Sequence, residues 1–262
     1  MSSHKLHVIG IGDMIIFASE LLEKDEELTI TLERSNIENH KSEAGSYWEF
    51  SKKFISRLLP EKRIEFTNSQ DLPRHPVDNS RFLKISREER YCEHFKRVFI
   101  IDSPPLDSPY VVLSTKARYY LRSSFDSEKQ SLFDAINSWG MKVILLGEKE
   151  VEYNLEYKSW GNSQIYSIYG DAMKGIRDDL LVDMTVPKLG TTTPDIDKLF
   201  SDMSIAYQAK ACINIGVGGF YCMSIFSGKL RAACKEYANG VNTFETIGEL
   251  VKELNSLVGE KV

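Results

Sequence analysis

"HVIGIGDMIIFASELLEK", residues 7–24, sets side by side an apolar run, two glycines one residue apart, an aspartate and an apolar-periodic stretch. The run "KLHVIGIG" (5–12) is continuous rather than alternating, which suits a strand buried on both faces of a parallel sheet. Behind Asp13, a good N-cap residue, Met14, Phe17, Ala18, Leu21 and Leu22 recur at helical spacing. "LTITLER" (28–34) then places β-branched and apolar residues as a second strand does. Strand, helix and strand in such short compass make a βαβ unit, whose crossover is right-handed.

Working outward, helix and strand patterns keep alternating. "SYWEFSKKFISRLLP" (46–60) carries Trp48, Phe50, Phe54, Ile55 and Leu58 on one helical face and stops at Pro60, and "RIEFT" (63–67) reads as a short strand. "RVFIIDSPP" (97–105) predicts another strand, with Val98, Phe99, Ile100 and Ile101 as its apolar core. It runs into "DSPPLDSP" (102–109), where Pro104, Pro105 and Pro109 cannot join a sheet interior and make a stiff extended connection. We place a domain boundary there, giving units 1–104 and 105–262.

The pattern restarts after this connection. "YVVLST" (110–115) and "KVILLGE" (142–148) read as buried parallel strands with the helix "SEKQSLFDAINSWG" (127–140) between them. The helix in "TPDIDKLFSDMSIAYQAK" (193–210) precedes the strand "ACINIG" (211–216), a glycine-rich turn and the helix "FYCMSIFSG" (220–228). The last helix, in "FETIGELVKELNSLVG" (244–259), has Asn242 and Thr243 as cap candidates and is expected to cross back and brace the first unit. The fold class expected is α/β, with two Rossmann-like αβα domains whose parallel sheets face a cleft.

Composition narrows the class. Of 262 residues, 42% are hydrophobic and 27% charged, which excludes a disordered or fibrous chain. No apolar run is long enough to span a membrane, and "MSSHKLHVIG" has no apolar signal core, so a cytoplasmic protein is expected. Cys92, Cys212, Cys222 and Cys234 form no C-x-x-C pair, which suits reduced thiols better than zinc. The net charge of -5 gives no general affinity for nucleic acid. Residues 51–97 nevertheless hold twelve Lys or Arg against seven Asp or Glu, enough to attract an anion and equally typical of a solvated surface.

Three stretches could carry chemistry. Gly10-x-Gly12 after a strand, with Glu33 at the end of the next, is part of a dinucleotide fingerprint, but Ile15 stands where a third glycine belongs. The alternatives are a plain turn with Asp13 as a cap, or Asp13 as a functional carboxylate at the sheet's carboxyl edge, where ligands bind. In "LSTKARYY" (113–120), Ser114, Thr115, Lys116 and Arg118 offer two hydroxyls and two cations suited to a diphosphate, or a solvated turn. In "INIGVGGFYCMS" (213–224), Gly216, Gly218 and Gly219 allow close backbone approach, and the helix start offers N–H groups to an anion. No Walker lysine follows, and a packed turn is the alternative.

Together these stretches resemble the heptosyltransferase-like branch of the GT-B glycosyltransferases. The resemblance rests on the strand, "GD" pair and helix of "IGIGDMIIFASELL", on "VVLSTKARYY", on "VILLGEKE", and on "DIDKLFSDMSIAYQAKACINIGVGGFYCMSIFSGK". It covers the first 25 residues and most of 110–235. It implies inverting transfer of a sugar from a nucleotide-diphosphate donor to a hydroxyl acceptor, with no metal held in a DxD motif and no cofactor besides the donor. The family's base falls on Asp13, the diphosphate cations on Lys116 and Arg118 beside Ser114 and Thr115, and the donor contacts on Gly216 to Phe220. Gly10 and Gly12 fall in the substrate loop. The chain departs from the family's last pattern, D-[ST]-G-x-x-H, with Val217, Gly218 and Gly219 and no histidine beyond position 94. A non-catalytic nucleotide or sugar binding module, and an NAD-dependent enzyme, are the competing readings.

Overall fold

Three parallel strands open the chain in the computed structural model: β1 (Ser2–Leu6), β2 (Glu27–Leu32) and β3 (Arg63–Thr67), in the order β1-β2-β3. The structure describes residues 2–6, 10–32, 44–67, 84–118, 122–151, 165–189, 195–216, 218–233 and 242–259. The apolar "HVI" (7–9) and Glu33 therefore lie outside the described residues. Helix α1 (Ile11–Leu21) joins the first two strands and α2 (Ala44–Leu58) precedes the third, as the hydrophobic spacing predicts. Asp13 is not the N-cap. Gly10 holds that position, its carbonyl accepts from the Met14 N–H at 3.1 Å, and Asp13 sits in the first helical turn.

Residues 97–101 form no strand. Helix α3 (Glu89–Phe99) runs through to Phe99, and Ile100 and Ile101 follow it, 42% and 50% exposed. The apolar tetrad disguised a helical stripe that begins earlier, at Tyr91, His94, Phe95, Val98 and Phe99, all buried.

The second sheet is built on β4 (Tyr110–Ser114), β6 (Lys142–Leu146), β9 (Leu181–Asp183), β11 (Ala211–Ile215), β12 (Leu230–Ala233) and β13 (Thr243–Phe244). All its pairs are parallel, in the order β13-β12-β11-β4-β6-β9. From β4 the chain builds outward through β6 and β9, then returns to the other side of β4 for β11, β12 and β13. The reversal lies between β4 and β11, and in sheets of this kind ligands bind outside the carboxyl edge at such a switch point.

Strand alternation divides the core. Val111, Leu113, Val143, Leu145, Ala211 and Ile213 face helices α4 (Arg122–Trp139), α5 (Tyr169–Gly175) and α8 (Ile247–Gly259). Tyr110, Val112, Ile144, Leu146 and Cys212 face the other way, into a core shared with α6 (Ile196–Gln208), α7 (Gly219–Ser224), β1, β2 and α1 to α3. The apolar interior is thus continuous across the prolyl segment 104–109. Aromatic rings join the two sides: Phe200 of α6 lies 5.9 Å from Phe54 and 5.2 Å from Phe99, and Phe226 lies 4.5 Å from Phe95. Each such ring, once buried, contributes about 1.5–3 kcal/mol. Arg57 of α2 closes the rim, paired with Asp197 at 2.7 Å and stacked on Phe200 at 4.7 Å.

The last helix does not return to the first unit. Ile247, Leu250 and Leu254 of α8 lie in the core on the opposite face of the larger sheet, and Trp139 of α4 donates its indole N–H to Asn255 at 3.0 Å. Its cap is Thr246, whose hydroxyl accepts from the Glu249 N–H at 3.1 Å. Thr243, expected as a cap, belongs to β13, and Asn242 precedes it with φ 55°. Two β-branched or aromatic residues before a glutamate-bearing turn were enough to prolong the sheet by one short strand.

Candidate functional site

The site grows from the carboxyl ends of the strands. β11 ends at Ile215, and Gly216 turns the chain with φ 99°, a left-handed conformation that a side chain strains. Gly218 and Gly219 then lead into α7, a six-residue helix continued by a 3-10 turn at Ile225–Ser227. Its Cys222 N–H donates to the Gly218 carbonyl at 2.9 Å.

This turn abuts the start of α1. A Cβ added to Gly12 would stand 3.0 Å from the Cys222 sulfur, and one added to Gly219 would stand 2.9 Å from Ile11 Cδ1. Glycine at both positions leaves room for the Ile11 and Cys222 side chains where the two helix starts approach. Gly10, Gly12 and Asp13 are therefore brought together with Gly218, Gly219 and Phe220, although some 200 residues separate them in sequence. Asp13 and Phe220 are half-buried, and an added Cβ at Gly218 meets nothing within 4 Å. Asp13 stands in the first turn of α1, where the helix dipole favours a negative charge.

Ser114 closes β4, 2% exposed, at the strand adjoining β11. Beyond it the chain does not form the solvated turn that is one of the two readings of "LSTKARYY". Lys116–Arg118 form β5, paired antiparallel with β8 (Ile165–Ser167) and lying beside β11, while β7 (Glu148–Val151) pairs with β10 (Val186–Leu189). β4, β6 and β9 are each extended in this way past a one- or two-residue break, which raises a rim above the carboxyl edge.

Thr115 is spent on that construction. Its buried hydroxyl lies within hydrogen-bond reach of the Leu146 carbonyl at 3.1 Å and the Glu148 carbonyl at 2.9 Å, spanning the break at Gly147. The Lys116 ammonium is exposed and pairs with Glu148 at 3.3 Å. Arg118 occupies the last position of β5, opposite Ile165. The candidates thus separate into a group at the switch point, Gly10 to Asp13 with Ser114, Gly216 and Gly218 to Phe220, and a rim group, Thr115 to Arg118.

Two polar features escaped the sequence reading. Asp183, at the carboxyl end of β9, accepts from the Tyr169 hydroxyl at 2.8 Å and the Thr185 N–H at 3.0 Å and pairs with Lys149 at 2.8 Å. Partial burial alone would raise its pKa, but the hydrogen bonds from Lys149, Thr185 and Tyr169 outweigh it and hold the carboxyl well below its usual range. Asn214, the penultimate residue of β11, is 3% exposed. An amide inside the apolar run "ACINIG" was the available signal for it.

Ile15, which interrupts the dinucleotide fingerprint, is fully buried in the core, so the helix packs through the position where that motif would carry a small residue. Among the described residues no group of three His, Cys, Asp or Glu side chains could hold a metal ion. Among them, too, no helix is long and apolar enough to cross a membrane.

No protein-family model matches the sequence, and no curated protein matches it. Among solved structures, a dodecameric iron-containing heptosyltransferase, TibC, in complex with ADP-D-beta-D-heptose, aligns with 13% identity and a TM-score of 0.42. The alignment covers 89% of this chain and 57% of that one, so the chain spans less than two thirds of TibC. A likeness of this size carries no argument about activity; the fold itself is read from the strand order above.

Proposed function

We propose that the chain is a glycosyltransferase that moves a sugar, with inversion, from a nucleotide-diphosphate sugar to a hydroxyl acceptor, needing neither a metal nor a further cofactor. The observation that supports this best is the meeting of the Gly10–Asp13 turn with the Gly216–Phe220 turn beside the β4/β11 switch point. A half-buried carboxylate next to a glycine-lined opening suits a base that faces a bound donor.

In this reading Asp13 takes the proton of the acceptor hydroxyl. The acceptor oxygen forms a bond to the anomeric carbon from the face opposite the diphosphate, and the bond from that carbon to the diphosphate oxygen breaks. The electron pair leaves with the nucleoside diphosphate, whose charge is met by Lys116 and Arg118 and by backbone N–H groups of the Gly216–Phe220 turn. Lys116 would exchange Glu148 for phosphate on binding. The unit 1–104 serves the acceptor and the unit 105–262 the donor, and the protein works in the cytoplasm.

The test is calorimetric titration with UDP-, GDP-, ADP- and CMP-sugars, ADP-D-β-D-heptose among them. Saturable binding of at least one is the expected result, and absence of binding across the panel overturns the reading. A non-catalytic module has one observation in its favour, since Val217 and Gly218 stand where the resembled family has an acidic and a hydroxyl residue. Donor binding without transfer to any hydroxyl acceptor or hydrolysis would establish that alternative.

A further inference from the structure

Asn214 is the polar residue at the switch point whose role nothing above explains. Alternation along β11 places its side chain on the face of Cys212, toward the core that α1 and α7 cover. Its Nδ2 donates to the Gly216 carbonyl at 2.8 Å, so the amide leans toward the end of the strand and the glycine turn. A carbonyl can only accept, which fixes the amide orientation and leaves Oδ1 as the other atom. That oxygen is buried and has no hydrogen-bond partner among the described residues. The parallel register pairs Ile213 with Leu113, and one step further it sets Asn214 beside Ser114, the last residue of β4. A buried carbonyl-type acceptor at the switch point with no donor among the described residues calls for one, because buried polar groups in native interiors are hydrogen-bonded.

We infer that Asn214 Oδ1 accepts a hydrogen bond from a hydroxyl group of the molecule bound between β4 and β11, and so selects the sugar or ribose part of that molecule for this position. The inference rests on the donor-binding reading of the switch point. An acceptor oxygen repels a phosphate oxygen, so the diphosphate lies away from Asn214, toward the outer glycines and the rim. The selectivity is of the strong kind, because a site built to pair with a hydroxyl rejects an analogue lacking it.

The experiment compares wild type with Asn214→Leu by calorimetry, using the tightest-binding nucleotide sugar, its nucleoside diphosphate and inorganic pyrophosphate, with unliganded melting measured alongside. The expected result is a loss of roughly tenfold or more in affinity for the nucleotide sugar, with pyrophosphate binding unchanged. If the nucleoside diphosphate weakens equally, the hydroxyl is the ribose's; if only the nucleotide sugar weakens, it belongs to the transferred sugar. Wild-type affinity of Asn214→Leu for the nucleotide sugar overturns the inference. Should Asn214→Leu fail to fold, Asn214→Ser is compared in the same way. Should wild type bind no nucleotide sugar, the donor-binding reading fails and melting decides the rest: Asn214→Leu or Asn214→Ser melting at or above wild type upholds an open acceptor. Melting several degrees below wild type makes Asn214 a structural residue and overturns it.

Discussion

Phe200→Ala tests whether the two sides of the prolyl segment share one core. The ring is 2% exposed and touches Phe54 of α2 and Phe99 of α3 while belonging to α6, with the Arg57 guanidinium over its face. Truncating a buried Phe costs about 3–5 kcal/mol, and each lost ring pair accounts for about 0.5–1.5 kcal/mol of it. For a chain of this length that lowers the melting temperature by roughly 5–9 °C. Hydrogen exchange read by mass spectrometry then locates the loss. A shared core predicts that amides of β1 and β2 and amides of β4 and β11 lose protection together and by the same free energy. If the β1–β2 amides keep full protection while β4 and β11 lose theirs, the two sides fold independently and the reasoning is refuted.

Two further substitutions probe local devices. His94 is buried and its Nε2 donates to the Leu58 carbonyl at 2.7 Å, while burial, outweighing that bond, pushes its pKa below 6.5. The folded state therefore binds this proton less readily than the unfolded chain, so stability is complete above about pH 6.5 and falls as the pH drops below it. Asn or Gln in its place carries no titrating group, and denaturant melts of His94→Gln from pH 7 to 5 should show a shallower acid loss than wild type; parallel curves would dismiss the account. Gly147 adopts φ 107°, and an added Cβ would stand 2.8 Å from the Thr115 hydroxyl oxygen. Gly147→Ala should cost about 1–3 kcal/mol by equilibrium unfolding, and an unchanged midpoint would show that the break at 147 bears no strain.

Much of the fold is written in apolar periodicity. The central strands of the larger sheet are continuous β-branched and leucine runs, and α2, α4, α6 and α8 each show a stripe, so their types follow from spacing alone. What misled is equally physical. Val98 to Ile101 looked like a strand because the last turn of α3 and two exposed isoleucines happen to adjoin, hiding a stripe whose earlier members are Tyr91 and His94. Three prolines suggest a boundary in the sequence, yet the packing of Phe200 and Phe226 against α2 and α3 is a tertiary fact that no local pattern encodes.

The candidate site was legible in part for the same reason. Glycines at 10, 12, 216, 218 and 219 announce tight turns, but that Gly12 and Gly219 serve the approach of one turn to the other appears only when both helices are placed. The hydroxyl of Thr115 looked available for a ligand because its partners, the carbonyls of Leu146 and Glu148, lie some thirty residues away. Asn214 carries little local signal of a site, because its chain neighbours Ile213 and Ile215 are those of a plain buried strand.

The central claim is that Asp13 removes the acceptor proton while other residues hold the donor. It is tested most directly by measuring donor affinity and transfer rate together for wild type and Asp13→Asn, with whichever nucleotide sugar binds and a hydroxyl acceptor it serves. Loss of a positioned general base predicts a transfer rate lower by roughly 10²–10⁴-fold at unchanged donor affinity. Transfer by Asp13→Asn at the wild-type rate would contradict it.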